Sequence, residues 1–309
     1  MEFLRDRGDG ARRAGGATCM EPAVRAGGRA ARGVTEMADT GSGDVAPAEA
    51  TSAPSAPVLH HVEQVMGTVV TIDLYGDGSI LGRAAYLALA AARASLRRAD
   101  AVFSTYKAHS PLSEIRRGAL TPEQAPPEVA AVLERCRTLR RLTDGLFDPW
   151  AVPGGLDPSG YVKGWAAGRA LAALAPAGAR GALVNAAGDI ALSGAAVAGE
   201  PWRVGIVDPH APRRLLAVAE VTGAIATSGT YERGAHLVDP RSGSATAAAA
   251  AATVVGPDPG DCDALATALT VGGPSALDLL DRLPGYFGLV VSLDGTSSAS
   301  ARFPFASTP

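Results

Sequence analysis

Two oxygen-bearing side chains interrupt an otherwise apolar stretch late in the chain. In DCDALATALT, Asp261 to Thr270, Asp263 and Thr267 stand four residues apart among Ala and Leu. On a helix that spacing stacks the carboxylate and the hydroxyl on one face. Such a pair suits a hard cation such as Mg²⁺, which takes one or two carboxylates and completes its shell with hydroxyl, carbonyl, water and phosphate oxygens. A structural explanation is also open. GPDPGD reads as a turn with Asp261 as helix N-cap, and a carboxylate at Asp263 then falls in the first turn, where the macrodipole favours negative charge.

Two further stretches carry candidate chemistry. In LDPSGYVKGWAAG, Asp157 and Lys163 flank Ser159-Gly160; the glycine permits close backbone approach to a ligand and the lysine offers a point charge for a phosphate. The alternative is a loop running into a helix with a solvated Lys163, because the glycine spacing is not that of a P-loop. IATSGTYERGAHLVDPRSG contains His236 in a strand-to-turn unit. A histidine there suits a general base near neutral pH, or a satisfied structural residue. STYK, Ser104 to Lys107, matches the S-x-x-K of serine β-lactamases, but the SDN and KTG companions and a G-x-S-x-G elbow are absent from the sequence, which argues against serine hydrolysis.

The elements that must position these residues are legible in outline. HHVEQVMGTVVTIDLYGDG reads as one or two strands, ended by Gly76-Asp77-Gly78. An Ala/Leu/Arg-rich stretch predicts a long helix from about Leu81 to Val102, Pro127 to Thr143 a second, opened by a proline, and VKGWAAGRALAALAPAG a third. Short β-like segments follow between Gly, Pro and Asp: GALVNAAGDIALSG, PWRVGIVDP, RRLLAVAEVTGAIATSG, AHLVDPRSG and AAAATVVGPD. After the Asp263 helix come a helix over SALDLLDRL and a final strand pair around YFGLVVSLDGT. This order predicts a single α+β domain with helices packed on antiparallel or mixed sheets, over residues 58–305. Residues 1–57, rich in Ala, Gly, Arg, Ser and Pro, bury too little to offset ordering entropy and are expected to form a disordered tail.

Composition narrows the function. The 309 residues, 47% hydrophobic, carry a net charge of −3 with both signs dispersed, which leaves no footprint for nucleic acid or an anionic membrane. Cys19, Cys136 and Cys262 lie far apart and form no disulfide framework or zinc pattern. No run of about 18 apolar residues could span a bilayer, and the N-terminus shows no apolar signal segment; Cys19 follows GGAT without the apolar stretch of a lipoprotein leader. A cytoplasmic location is the expectation.

Taken in order, VMGTVVTIDL, FSTYKAHSPLSEIRRG, DGLFDPW, LDPSGYVKGWAAGRA, LVNAAGDIALSG, WRVGIVDP, IATSGTYERGAHLVDPRSG and ATVVGPDPGDCDALATAL resemble the ApbE family of FAD:protein FMN transferases, across roughly residues 60–273. The resemblance implies Mg²⁺-dependent cleavage of FAD, the substrate, with FMN passed to a Thr or Ser hydroxyl of a partner flavoprotein and AMP released. The acceptor would bear an S/D-G-A-T-like motif. Carried over by position, the metal ligands would be Asp263, Thr267 and the carbonyl of Gly160. The flavin nucleotide would contact Met66, Tyr106, Leu146, Phe147, Asp148, Asp157, Lys163 and the backbone at Leu237. His236 would be the base for the acceptor hydroxyl, and Asn185 and Asp189 would shape the site. The chain departs from the family pattern at Thr230, where many relatives carry aspartate, and at Gly160-Tyr161-Val162-Lys163-Gly164, where GIAKG is usual. The alternatives are a pyrophosphatase that gives FMN and AMP, and a non-catalytic flavin-binding protein. AGGAT and SGSAT loosely resemble the acceptor motif, which raises self-flavinylation at Thr18.

Overall fold

The computed structural model describes residues 56–307 apart from 153, 230–237, 242 and 246–247. The expected tail lies outside the described residues but for 56 and 57, and Thr230, His236 and Leu237 lie outside them too.

Backbone pairing begins at Val58, whose N–H donates to the Leu74 carbonyl at 2.8 Å. β1 (Leu59–Val65) and β2 (Thr68–Tyr75) form a hairpin. Its turn residues, Met66 and Gly67, have φ of 56° and 70°, as the two-residue turn that matches strand twist requires. The same device closes β3 (Gly181–Ala186) on β4 (Asp189–Gly194), where Ala187 and Gly188 have φ of 55° and 95°. With β7 (Ala224–Gly229), β10 (Ala249–Gly256), β11 (Phe287–Ser292) and β12 (Ser297–Ala299) these strands make an eight-stranded sheet ordered β1-β2-β3-β4-β7-β10-β11-β12. Every neighbouring pair in it is antiparallel.

Side-chain alternation assigns the two faces. Ala182, Val184 and Ala186 of β3 face the helices, while Leu183 faces the other way. That second face is covered by a hairpin of β5 (Trp202–Asp208) and β6 (Ala211–Val221), whose Trp202, Val204, Ile206 and Val221 pack on Leu183, Ile190, Ile225 and Leu289. β8 (Val238–Asp239) and β9 (Ser244–Ala245) pair separately. The result is an α+β domain: helices, antiparallel sheet, hairpin.

The helical layer contains α1 (Arg83–Phe103), α2 (Pro111–Arg116), α3 (Pro127–Leu142), α4 (Ser159–Leu174) and α5 (Pro259–Gly272). α2 was not expected, although Ser110 caps it through its hydroxyl and Pro111 occupies its first turn. SALDLLDRL forms a 3₁₀ helix, Pro274–Arg282, rather than an α-helix. Between α1 and α4 the contact is made by small residues, Ala85, Ala88, Ala92 and Ala99 on one side and Ala166, Ala167 and Ala170 on the other, which lets the two axes approach closely.

The α4–α5 contact is closer still. Gly160, Gly164 and Gly168 recur every four residues along α4 and form a bare stripe. A Cβ at Gly164 would fall 2.0 Å from the Pro259 carbonyl oxygen and 3.1 Å from Asp263 Cβ; one at Gly168 would fall 2.7 Å from Pro259 Cγ; one at Gly160 would fall 3.2 Å from Thr267 Oγ1. Residues 259, 263 and 267 of α5 therefore ride on 168, 164 and 160 of α4, with the two helices antiparallel. Each glycine in a helix interior costs about 0.5–1 kcal/mol relative to alanine, so this stripe is kept at some expense.

Candidate functional site

α5 is buried on nearly all sides, against β7, β10 and α4. Pro259 at its first position starts the helix, and the cap is Asp258, whose carboxylate accepts the Asp261 N–H at 2.9 Å. This corrects the expectation that Asp261 caps the helix: a proline fits the first turn, so α5 begins before Asp261. Asp261 instead forms a buried ion pair. It accepts from Arg135 Nε at 2.8 Å, from a second guanidinium nitrogen of Arg135, and from the Tyr286 hydroxyl at 2.8 Å. The carboxylate raises the Arg135 pKa, and burial together with Asp261 raises that of the Tyr286 phenol. These contacts tie the first turn of α5 to α3 and to the approach to β11.

Two residues on, Asp263 is 3% exposed and faces α4. Its Oδ2 accepts the Gly164 N–H at 3.3 Å. In an α-helix that amide also donates to the Gly160 carbonyl, which keeps its second lone pair for another partner. Lys163 Nζ reaches Asp263 at 3.3 and 3.4 Å and makes its closer contact with Asp189. Asp189, 1% exposed, opens β4 directly after the tight turn, and that turn is pinned by Asn185 Oδ1, which accepts the Gly188 N–H at 2.8 Å. Three elements therefore converge: the sheet supplies Asp189, α4 supplies Lys163, Gly160 and Gly164, and α5 supplies Asp263 and Thr267. Asp263 and Thr267 do share one face of α5, as their spacing predicts, and Gly160 lies against Thr267.

Of the other expected residues, Phe147 is the one seen to border this point. Phe147 Cε2 would be 3.6 Å from a Gly160 Cβ, so its ring borders the same spot. Leu146 packs on the end of α5 at Gly272. Asp148 is held by Arg140 Nε at 2.6 Å and accepts the Trp150 N–H at 2.9 Å. The segment Leu146 to Asp148 is fixed to α3 through Thr143, whose hydroxyl accepts the Phe147 N–H at 3.1 Å. Asp157 accepts the Ser159 N–H at 3.0 Å at the start of α4. Met66 lies in the β1–β2 turn, packed against the core. Tyr106 is 95% exposed in the loop after α1 and makes no ring contact with the other described residues. The catalytic candidate His236 and the nucleotide candidate Leu237 lie outside the described residues. Lys163 is not a solvated side chain, which removes the bland reading of its motif.

The sequence reading missed the Lys163–Asp189 pair and the amide of Gly164 as a partner of Asp263. The signal for close helix contact was present as the four-residue glycine period in SGYVKGWAAG. Ser104 and Lys107 are not a nucleophile and base: Ser104 Oγ accepts from the Tyr106 and Lys107 amides at 3.3 Å, and the Lys107 ammonium goes to Asp100. Burial pushes the Cys136 thiol up to about 12 and raises that of Cys262, so neither is a thiolate at neutral pH.

A cleft of about 550 Å³ between α1, α3 and α4, lined by Phe103, Trp165, Arg98 and Arg169, lies on another side of α4 and includes none of the converging residues. Among the described residues no group of three or more His, Cys, Asp or Glu side chains could hold a metal ion by itself. A seat built from one carboxylate, one hydroxyl and a carbonyl is a different donor set. No helix among the described residues is long and apolar enough to cross a membrane.

The model of the ApbE family matches residues 66–154 and 151–289. No curated protein matches the chain. Among solved structures, the chain is similar to the flavin transferase ApbE from Vibrio cholerae, with 22% identity over 79% of this chain and 97% of that one and a TM-score of 0.69. It is also similar to the flavinyl transferase ApbE of Pseudomonas stutzeri in its apo form, with 24% identity, 78% and 95% coverage and a TM-score of 0.65. The ApbE protein of Thermotoga maritima gives 21% identity, 79% and 97% coverage and a TM-score of 0.65.

Proposed function

Since the chain belongs to the ApbE family, we propose that it transfers FMN from FAD to a Thr or Ser hydroxyl of a partner flavoprotein, with Mg²⁺ as the metal and AMP as the leaving group. The observation that carries this reading is the convergence of Gly160, Asp263 and Thr267 across the glycine stripe, with Lys163 alongside.

The donors fit a hard cation. All three are oxygens, as Mg²⁺ prefers: the Asp263 carboxylate, the Thr267 hydroxyl and the Gly160 carbonyl. Gly160 also lacks the Cβ that would stand 3.2 Å from the Thr267 hydroxyl and narrow the space between the helices. A bound Mg²⁺ would neutralise pyrophosphate charge as it grows on the departing AMP.

The protein's own groups do the remaining work. Lys163 supplies positive charge beside the same pyrophosphate, held there by Asp189 and Asp263. Phe147, Met66 and Tyr106 offer apolar and aromatic surface to the flavin half, and Asp148 and Asp157 offer acceptors around it. In the transfer, the acceptor oxygen forms a bond to the phosphorus of the FMN half, the bond from that phosphorus to the bridging oxygen breaks, and AMP leaves with the bond pair. The acceptor proton passes to His236, a role that rests on its place in the motif.

The test incubates the protein with FAD, Mg²⁺ and an acceptor bearing an S/D-G-A-T-like motif. A mass gain of one FMN on the acceptor, lost in Asp263→Ala, is expected. AMP release without acceptor labelling would assign a pyrophosphatase instead, and FAD binding without AMP release would assign a storage protein.

A further inference from the structure

We propose that Asp189 is a positioning residue that sets the affinity of the Asp263–Thr267 seat for a divalent cation by holding the Lys163 ammonium away from Asp263. The proposal rests on the reading that Asp263 and Thr267 hold the metal.

The geometry is asymmetric. Lys163 Nζ lies between two buried carboxylates but makes its closer contact with Asp189; Asp263 receives it only at 3.3 and 3.4 Å. The side chains are well shielded, with Lys163 21%, Asp189 1% and Asp263 5% exposed, so the charges act at low screening. Asp189 is the fixed member of its pair with Lys163. It sits on the sheet, at the mouth of a turn fixed by the Asn185–Gly188 bond, whereas Lys163 has a flexible four-carbon stem. A dication at Asp263 must share that carboxylate with the ammonium or displace it. With Asp189 charged, the displaced ammonium has a partner a short movement away. With Asp189 neutral, the ammonium keeps its whole attraction for Asp263, and the dication competes with it directly.

Opposite effects follow for two single substitutions. Asp189→Asn leaves Lys163 on Asp263 and should weaken Mg²⁺ binding at least tenfold. Lys163→Met removes the competitor and leaves two carboxylates, which should tighten it. The double variant, Lys163→Met with Asp189→Asn, has no ammonium left to position and should bind within about threefold of Lys163→Met and far more tightly than Asp189→Asn alone, a coupling that a double-mutant cycle measures. A merely structural role for Asp189 would give equal losses in both variants that lack it and no rescue in the double. The measurement is calorimetric titration of the full chain with Mg²⁺ alone, beside thermal melting of each variant to show that it is folded. No Mg²⁺ binding by the unaltered chain would overturn both the metal reading and this proposal. Binding by the unaltered chain, with Asp189→Asn unchanged or with the double variant no better than Asp189→Asn, would overturn this proposal alone. Should Asp189→Asn fail to fold, the remaining pair decides: since Asp189 acts through Lys163, the proposal requires the double variant to bind Mg²⁺ within about threefold of Lys163→Met, and a tenfold weaker double variant would sink it.

Discussion

Gly160→Ala and Gly164→Ala add the same methyl group to the same face of α4 and should fail in different ways. At Gly164 the new Cβ lands 2.0 Å from a backbone carbonyl oxygen and 2.6 Å from its carbon, in Pro259. Backbone cannot rotate aside, so the first turn of α5 must retreat by about 1 Å to restore ordinary contact in a close-packed interior. Overpacking of this kind costs about 3 kcal/mol, of which alanine's better helix propensity offsets about 1. A net loss of about 2 kcal/mol lowers Tm by roughly 4–8 °C in a domain of this size. At Gly160 the nearest atom is the Thr267 hydroxyl at 3.2 Å, a side-chain atom that a few tenths of an ångström would relieve. Helix propensity there compensates the contact, and Tm should move by no more than about 2 °C. Yet the displaced hydroxyl is a proposed metal ligand, so Mg²⁺ affinity and FMN transfer should fall at least tenfold. Thermal melting followed by circular dichroism, calorimetric titration with Mg²⁺ and mass analysis of the acceptor separate the two outcomes. A Gly160→Ala protein with undiminished Mg²⁺ affinity would remove Gly160 and Thr267 from the seat, and a Gly164→Ala protein with unchanged Tm would refute the helix contact itself.

Three other outcomes are expected. Thr267→Val keeps the volume and removes the hydroxyl, so transfer at limiting Mg²⁺ should drop while Tm holds; unchanged transfer across a Mg²⁺ titration would count against the ligand. Arg135→Met leaves Asp261 buried with only the Tyr286 hydroxyl, and should cost about 2–3 kcal/mol in urea unfolding, below the full range for buried pairs because the arginine is partly exposed; a loss under about 0.5 kcal/mol, the scale of a surface pair, would contradict that. Glu63 is held down to about 2 by hydrogen bonds from His61, Arg93 and Arg97. A depressed carboxylate stabilises the fold above its unfolded pKa, near 4.5, and loses that contribution as pH falls toward 2. Glu63→Gln should therefore flatten the decline in Tm across that window, and an unaltered slope would show that Glu63 is not one of its causes.

The long helices and the β-rich stretches were legible because their signals are local. Pro127 and Gly145 bounded α3, and the β-like residues of GALVNAAGDIALSG, set off by Gly and Asp, marked the stretch that forms β3 and β4. Asp263 and Thr267 were legible as a pair for the same reason: four residues on a helix is a fixed offset. Their place in the fold was not, because it depends on contacts between elements distant in sequence. Nothing near Asp261 says that Arg135 will reach it, so its carboxylate read as a cap. Nothing near Lys163 names Asp189 as its partner either. Ser110-Pro111 at the start of α2 and Pro259 at the start of α5 were readable start signals that the larger motifs around them obscured. The 3₁₀ form of Pro274–Arg282 follows no local rule that separates it from an α-helix of the same pattern.

The glycine stripe on α4 has a consequence for how this chain tolerates change. Where two helices meet through interlocking side chains, every substitution at the seam resets the gap, and the spacing of groups mounted on either helix drifts with it. Here main chain rests against main chain at Gly164 and Pro259. The separation is then a constant of the polypeptide, like a gauge block between two machined faces. Substitutions elsewhere in the interior can be absorbed by the outer helices and the hairpin while Asp263 and Thr267 stay at one height above α4. Structural tolerance should accordingly be steeply uneven, broad over most of the interior and nearly nil at Gly164, where backbone meets backbone.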